Sequence, residues 1–287
     1  MGSSDELGMV YELRRRVSHA EVDFLGELKL SALLGLFEQA AVEASGAAGY
    51  DARRYAAERR VWLIRRTLVS RWLPVGGTEE LRIRTRVADV RRARSLREYS
   101  VQCNAKLVAE GVTDWVYCDL ESRRPARIPP QLASALSSKP EVPSFERAPS
   151  PVDDPEGEAV TLLRPVAPSD LDHVRHMNNA LYANALEDGA FLWFQHRGWP
   201  LERMLAQGGA LRPVTMDIEY FADAGAGDTL RIDTWGEPPQ GSPEGVPPAV
   251  VLWQRIHSVD GQRLVHAASV WQWRYRSPVL GEPPLAW

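Results

Sequence analysis

The segment GELKLSALLGLFEQAAVEASGAAGYD, residues 26–51, predicts one long amphipathic helix. Its apolar residues recur at the i, i+3, i+4, i+7 spacing of a single helix face: Leu30, Leu33, Leu34, Phe37, Ala40, Ala41 and Ala44. A second helical segment, HMNNALYANALEDGAFLWFQHRGWP, starts at His176. The sequence therefore predicts one long helix in each half of the chain.

The two helical segments belong to an internal repeat with an offset of 149 residues. Three matches share this offset: Glu38 with Glu187, Gly49-Tyr50 with Gly198-Trp199, and GGTEELRI (76–83) with GAGDTLRI (225–232). Matches at one offset, with the elements in the same order, indicate an internal duplication.

Strand patterns follow each helix, as alternating or β-branched and aromatic-rich runs. The segments are LRIRTRV (81–87), LREYSVQ (96–102), LVAEGVTDWVYCDL (107–120), LRIDTWG (230–236), AVVLWQRIHSV (249–259) and RLVHAASVWQWRYR (263–276). The sequence of each half thus predicts a short strand, then a long helix, then three or four antiparallel strands. The predicted fold class is α+β, a tandem (double) hotdog in which two antiparallel sheets each wrap around a long central helix.

A stretch rich in Pro and Ser, with poor apolar periodicity, runs from Pro125 to about Glu158 and is typical of a linker. We therefore predict an N-terminal hotdog domain over residues 8–130, a linker over 131–158 and a C-terminal hotdog domain over 159–287.

Composition narrows the class of protein. The net charge is 34 − 38 = −4, so no global basicity points to nucleic acid or an anionic membrane. No apolar run approaches the ~20 residues of a membrane span, and the N-terminus lacks a signal-peptide pattern. Two cysteines, Cys103 and Cys118, predict buried reduced thiols. No metal-ligand spacing or phosphate-binding glycine motif occurs, so we expect a cytoplasmic protein without cofactor or metal.

The run SDLDHVRHMNNALY, residues 169–182, concentrates acid, His and Asn side chains ahead of the second helix. It resembles the run S-D-L-D-x-N-x-H-V-N-N-x-x-Y of the acyl-acyl-carrier-protein thioesterases, which have tandem hotdog domains. The first half adds DWVYCDLESRRPARIP (114–129), similar to the segment closing that family's first domain. The resemblance covers roughly residues 11 to 276 and implies hydrolysis of an acyl thioester, with the first domain setting chain-length preference.

Two positions depart from the family. Val174 stands where the family has Asn between the catalytic Asp and His. In EYFADAGAGD (219–228), Asp223 and Ala224 stand where the plant enzymes carry a Glu-Cys pair, which excludes a Cys nucleophile at that position.

Thioester hydrolysis needs a nucleophile or general base, donors for the oxyanion and a dry acyl pocket. We predict that Asp172 attacks the carbonyl or deprotonates water, that His176 polarises the carbonyl or orients Asp172, and that Asp223 orients His176. The backbone N–H groups after His176 are expected to lack intrahelical partners and to bind the oxyanion. Of Asn178 and Asn179, one is expected to cap the helix and the other to position water or Asp172. The alternative is that these residues are only helix caps and that Asp223 is only a loop residue.

The first half lacks this cluster, since Glu27, Leu28, Lys29 and Leu30 occupy the positions of His176 to Asn179. One active site per chain is therefore expected. Gly35, within the first helix, makes room either for an acyl chain or for tight helix–sheet packing.

The leading hypothesis is a thioester hydrolase acting on a fatty or polyketide acyl chain held by acyl carrier protein or, as a close variant, by CoA. A hotdog dehydratase and a non-catalytic acyl-binding protein are the alternatives. RRVWLIRR (59–66) and VRRARSLRE (90–98) either dock the acidic carrier or form solvated strand faces. Whether the chain is a monomer or a homodimer stays open.

Overall fold

The computed structural model describes residues 10–136, 157–172, 174–236 and 249–275. Packing divides the chain into two compact units. The first holds Met1–Arg16, Leu34–Leu73 and Glu80–Ala148, and the second holds Val17–Leu33, Pro74–Glu79 and Pro149–Trp287. Most of the predicted linker, residues 137–156, lies outside the described residues, as do residues 8–9 and 276–287 of the predicted domains.

The first unit contains a five-stranded antiparallel sheet in the order β1-β3-β4-β5-β2. Its strands are β1 (Tyr11–Arg16), β2 (Arg60–Arg71), β3 (Glu80–Arg91), β4 (Arg94–Cys103) and β5 (Lys106–Asp119). Its helices are α1 (Leu30–Ala47), α2 (Ala52–Ala57) and α3 (Pro130–Leu136). The first four residues of α1, Leu30–Leu33, belong to the second unit.

The second unit repeats this plan with a sheet in the order β7-β10-β9-β8-β6. Its elements are β6 (Val160–Pro165), α4 (Tyr182–His196), α5 (Leu201–Ala206), β7 (Gly209–Tyr220), β8 (Thr229–Gly236), β9 (Val250–Ser258) and β10 (Arg263–Tyr275).

The predicted duplication is confirmed at the level of elements and strand register. β1, β2 and α2 each recur 149 residues later as β6, β7 and α5, with the same lengths. Leu13 pairs with Ile83 in the first sheet, and Leu162 pairs with Ile232 in the second, again at that offset.

Each long helix packs its apolar face on the sheet of its half. The predicted face of α1 is buried, and the Phe37 ring stacks on Tyr99 of β4 with ring centroids 4.3 Å apart. A Cβ at Gly111 of β5 would lie 2.3 Å from the Phe37 ring, so only glycine allows this approach. In the second half, a Cβ at Gly189 of α4 would lie 2.8 Å from Ile232 of β8.

One predicted boundary is wrong. The second long helix begins at Tyr182 rather than directly after His176, because residues Asn179–Leu181 form a short 3-10 turn. The Asn178 side chain accepts a hydrogen bond from the Ala180 N–H and so starts this turn.

Smaller predictions are also settled. Cys103 and Cys118 are buried and free, as predicted. The predicted start of the linker at residue 131 is wrong: helix α3 continues to Leu136, and its Leu132 and Leu136 pack into a buried cluster with Tyr50. No helix in the described part of the chain is long and apolar enough to cross a membrane.

Candidate active site

The loop between β6 and α4 is closed at its base by Asp170. Its carboxylate accepts a hydrogen bond from the Ala167 N–H at 2.9 Å and forms an ion pair with Arg164 at 3.0 Å. Its carbonyl accepts from the Asn178 N–H at 2.9 Å. Asp170 therefore joins the two ends of the loop, between Ala167 and Asn178.

Asp172 shapes the tip of this loop. Its Oδ1 accepts hydrogen bonds from the N–H groups of Val174 at 2.9 Å and His176 at 3.3 Å. Its own N–H donates to the His176 carbonyl at 2.8 Å. Oδ2 accepts no hydrogen bond from the part of the chain that the structure describes. One oxygen of Asp172 thus holds the loop, and the other is available for chemistry.

His176 and Asp223 are in direct contact. The Nδ1 atom of His176 lies 3.2 Å from Oδ2 of Asp223, and the two side chains are 35% and 48% exposed. Asp223 follows β7, whereas His176 precedes α4, so 46 residues of chain lie between them. Because Nδ1 faces a carboxylate, neutral His176 carries its proton there, and Nε2 is then a proton acceptor.

The segment that carries Asp223 is anchored through Ala224. The Ala224 carbonyl accepts a hydrogen bond from the Met177 N–H at 2.8 Å. Its N–H donates to the Tyr182 hydroxyl at 3.1 Å. Burial raises the pKa of Tyr182, so its hydroxyl stays protonated and neutral at physiological pH.

The two asparagines form the turn before α4. Asn178 Oδ1 caps this turn through the Ala180 N–H at 2.8 Å, as expected for one of the pair. The Asn179 carbonyl accepts from the Tyr220 hydroxyl at 3.1 Å.

The expected row of free N–H groups after His176 is wrong. The N–H groups of Met177 and Asn178 donate to the carbonyls of Ala224 and Asp170, because the loop is pinned on both sides before the helix starts. Among residues 177–181, the N–H of Asn179 is the one without a partner in the described chain.

The loop therefore brings Asp172, His176 and Asp223 into one small region, with Asn178 and Asn179 on the turn that follows. Asp172 is linked to His176 through the backbone, and no direct side-chain contact joins them in the described residues. Sequence reasoning missed the anchoring role of Tyr182. Its counterpart 149 residues earlier is Leu33, so a tyrosine stands at this position in the half with the cluster and not in the other half. This difference between the two copies was the available signal.

The first half keeps the same loop without the same side chains. Asp23 Oδ1 accepts from the N–H groups of Leu25 at 2.8 Å and Glu27 at 3.1 Å. The Asp23 N–H donates to the Glu27 carbonyl at 2.8 Å, as at the counterpart Asp172. Glu27 takes the place of His176 and Pro74 that of Asp223, so this copy lacks the His–carboxylate pair.

In the first-half loop, a buried arginine forms an ion pair with Oδ2 of Asp23, the oxygen that does not hold the loop. Arg212 of β7 is 1% exposed and lies 2.7 Å from Asp23 and 3.1 Å from Glu187 of α4. Burial alone would lower the pKa of Arg212, but the carboxylates of Glu187, Asp23 and Glu27 outweigh it and raise the pKa. Asp23 is therefore neutralised by an ion pair, and Glu187 pairs with the same arginine.

Comparisons with protein families agree with this geometry. The acyl-ACP thioesterase N-terminal domain matches residues 8–136, and the thioesterase-like superfamily matches residues 166–267. No curated protein sequence matches the chain significantly.

Solved structures show the same fold across most of the chain. One is described as an oleoyl thioesterase from Lactobacillus plantarum, with 20% identity, a TM-score of 0.77, and coverage of 92% of this chain and 96% of that chain. An acyl-ACP thioesterase from Bacteroides thetaiotaomicron has 16% identity, a TM-score of 0.69 and coverage of 92% and 98%. The 12:0-ACP thioesterase from Umbellularia californica has 15% identity, a TM-score of 0.70 and coverage of 92% and 94%.

The fold, the loop and the family matches define the class of the protein, which is a thioesterase with the hotdog fold. Within that class, residues 8–136 match the N-terminal domain of the acyl-acyl-carrier-protein thioesterases, the family that the sequence resemblance named.

Proposed function

We propose that this protein hydrolyses the thioester bond between an acyl chain and acyl carrier protein, releasing the free acid and the carrier thiol. The observation that carries the proposal is the His176–Asp223 contact of 3.2 Å beside the Asp172 loop, in a chain whose residues 8–136 match the acyl-ACP thioesterase N-terminal domain. An acyl-CoA thioester has the same reacting group and is the close variant.

In the proposed reaction, His176 is the general base. Its Nδ1–H donates to Asp223, so Nε2 takes a proton from the attacking water. The hydroxide adds to the thioester carbon, the C–S bond breaks, and the departing sulfur receives the proton from Nε2. Asp172 orients the water through Oδ2, since Oδ1 is held by two N–H groups.

Direct attack by Asp172 Oδ2 is the alternative, and one experiment separates the two routes. A single turnover in H₂¹⁸O puts the label in the released acid if water attacks directly. If Asp172 attacks, the thiol leaves and an acyl–Asp172 anhydride forms. Water that then adds to the Asp172 carboxyl carbon leaves the label in Asp172, whereas water that adds to the acyl carbon leaves it in the acid. Rapid-quench mass spectrometry of the protein therefore decides between the routes, because only attack by Asp172 gives the covalent adduct.

The oxyanion needs hydrogen-bond donors that the loop has not already used. We infer that the Asn179 N–H is one, because its neighbours Met177 and Asn178 donate to the carbonyls of Ala224 and Asp170. The side-chain amide of Asn178 or Asn179 is the second donor in this scheme.

We infer that each half is a hotdog domain whose sheet wraps around its long helix, over residues 8–136 and 159–287, with 137–158 as the connection. The first domain then shapes the acyl pocket. Gly35 of α1 supports this role, because a Cβ added there would meet no atom within 4 Å.

The carrier is proposed to dock through arginines of the first half. Arg59 and Arg60, in the predicted basic segments, are already paired with Glu121 and Asp119. Arg92 and Arg127 line a cavity of about 760 Å³ and form no ion pair within the described residues. These two are therefore better placed for the phosphate or the acidic surface of the carrier.

The carrier proposal predicts a selective change in KM. Arg92→Glu with Arg127→Glu should raise KM for acyl-ACP about tenfold or more while KM for an acyl-pantetheine stays near wild type, because only the carrier is repelled. Equal effects on both substrates would count against docking at this cavity.

The activity itself is tested with a panel of acyl-ACP and acyl-CoA thioesters of different lengths, following thiol release and product mass. Asp172→Asn is the comparison, because an Asn Oδ1 still accepts the loop hydrogen bonds. Free acid that disappears with Asp172→Asn supports the proposal. An enoyl thioester product would indicate a dehydratase. If no substrate gives a product, the remaining hypothesis is a non-catalytic acyl-binding protein.

We further infer that the protein acts in the cytoplasm without a cofactor, since water and the residues above suffice for hydrolysis. Pairing of two chains stays a prediction, and light scattering on the purified protein decides it.

A further inference from the structure

Tyr182, the first residue of α4, contacts the segment that carries Asp223. Its side chain is buried, and its hydroxyl oxygen accepts the Ala224 N–H at 3.1 Å. The ring packs edge-on against Tyr220 with centroids 5.9 Å apart. Two contacts therefore fix the hydroxyl, one through the ring and one through its hydrogen bond.

The peptide group held by Tyr182 is the one that links Asp223 to Ala224. Its N–H is bonded to the tyrosine, and the next carbonyl along the chain, that of Ala224, accepts from the Met177 N–H at 2.8 Å. Met177 directly follows His176, so the backbone of the two members of the His–Asp pair is connected by this hydrogen bond.

The first half shows what this segment does without a tyrosine. Leu33 occupies the position of Tyr182, and Pro74 occupies that of Asp223. The counterpart hydrogen bond, from the Leu28 N–H to the Val75 carbonyl, is still present at 2.7 Å. The segment therefore folds against its loop without a hydroxyl, and the hydroxyl occurs in the copy that also has the His–carboxylate pair.

We propose that Tyr182 is a positioning residue for the hydrolysis proposed above: its hydroxyl fixes the Asp223–Ala224 peptide so that Asp223 Oδ2 stays within hydrogen-bond distance of His176 Nδ1. Tyr182 touches no reacting atom and acts through Asp223. Because the hydroxyl is neutral, it orients the peptide without adding negative charge beside the carboxylate.

Tyr182→Phe tests this role, because phenylalanine keeps the ring contact with Tyr220 and removes only the hydroxyl. We expect kcat/KM to fall about 10- to 100-fold, as misplacement of a catalytic group does, with little change in the thermal midpoint. Tyr11→Phe is the matched control, since it also removes one hydroxyl hydrogen bond, to Glu43, in the first half. It should leave kcat/KM near wild type.

A double-mutant cycle separates positioning from a general structural effect. In an Asp223→Ala background, Tyr182→Phe should lower kcat/KM no more than about twofold further, because the carboxylate it positions is gone. If the fold-loss in kcat/KM of the double variant equals the product of the losses of the two single variants, the proposal is overturned. A wild-type kcat/KM in Tyr182→Phe alone would overturn it as well.

A readout that needs no activity keeps this test independent of the proposed function. The Nδ1–H proton of His176 should give a downfield NMR signal in the wild-type protein that weakens or shifts in Tyr182→Phe and in Asp223→Ala. If no acyl thioester is hydrolysed, the function fails while this signal still decides the role of Tyr182. An unchanged signal in Tyr182→Phe rejects it.

Discussion

At the scale of single residues, the two copies of one loop show which contacts an aspartate makes to fold the loop and which are special to the candidate site. Asp23 and Asp172 each hold their loop through Oδ1, with the same two backbone donors. Only the surroundings differ, since Asp23 Oδ2 pairs with Arg212 and Asp172 lies beside His176. An Asp in this pattern is therefore not catalytic by its identity alone, which explains why the cap interpretation could not be dismissed from sequence.

Asp223→Asn should lower kcat/KM at least about 100-fold, because an amide cannot stabilise a protonated His176. The side chain is 48% exposed, so the thermal midpoint should change little. Asp260→Asn, in the exposed turn after β9, serves as the control for a surface charge change. Steady-state rates with one acyl-ACP check both variants. Wild-type activity of Asp223→Asn would remove Asp223 from the site.

At the scale of elements, side-chain periodicity located the two long helices and the strands β3, β4, β5, β8, β9 and β10, but close packing set where glycine is required. Gly111 and Gly35 each lie inside a regular element, where glycine is unfavourable. A Cβ at Gly111 would lie 2.3 Å from Phe37, whereas one at Gly35 would meet nothing within 4 Å. The start of α4 was likewise decided by the Asn178 cap rather than by apolar spacing.

The two glycines should respond in opposite directions to alanine. Gly111→Ala should lower the free energy of unfolding by about 1–3 kcal/mol through overpacking. Gly35→Ala should raise it by about 0.5–1 kcal/mol, because alanine favours a helix interior. Urea denaturation of both variants gives the comparison. A Gly111→Ala protein as stable as wild type would contradict the packing of Phe37 on β5.

At the scale of the whole molecule, duplication was followed by divergence of the two loops. Segment Val17–Leu33 packs in the second unit, where Asp23 meets Arg212 and Glu187. The compact units therefore differ from a simple division of the chain at its midpoint. A buried ion cluster of this kind is sensitive to loss of one partner, because the remaining charges stay buried.

Arg212→Met should lower the free energy of unfolding by about 3–5 kcal/mol, since it leaves Asp23 and Glu187 without their cation. Adding Asp23→Asn and Glu187→Gln should restore a large part of that loss, because the uncompensated charges are then removed. Denaturant unfolding of the single and triple variants checks this. If Arg212→Met unfolds like wild type, the cluster does not stabilise the native state.

Sequence patterns alone predicted the two long helices, most strands, the duplication at 149 residues and the resemblance to the acyl-acyl-carrier-protein thioesterases, because periodicity and motif runs are local or aligned along the chain. The tertiary structure decided which groups meet. The 3.2 Å contact of His176 with Asp223, the hydroxyl of Tyr182 on Ala224 and the pairing of Asp23 with Arg212 each join distant segments. Such contacts depend on how the loops pack against the strands, and no pattern within a single segment encodes that distance.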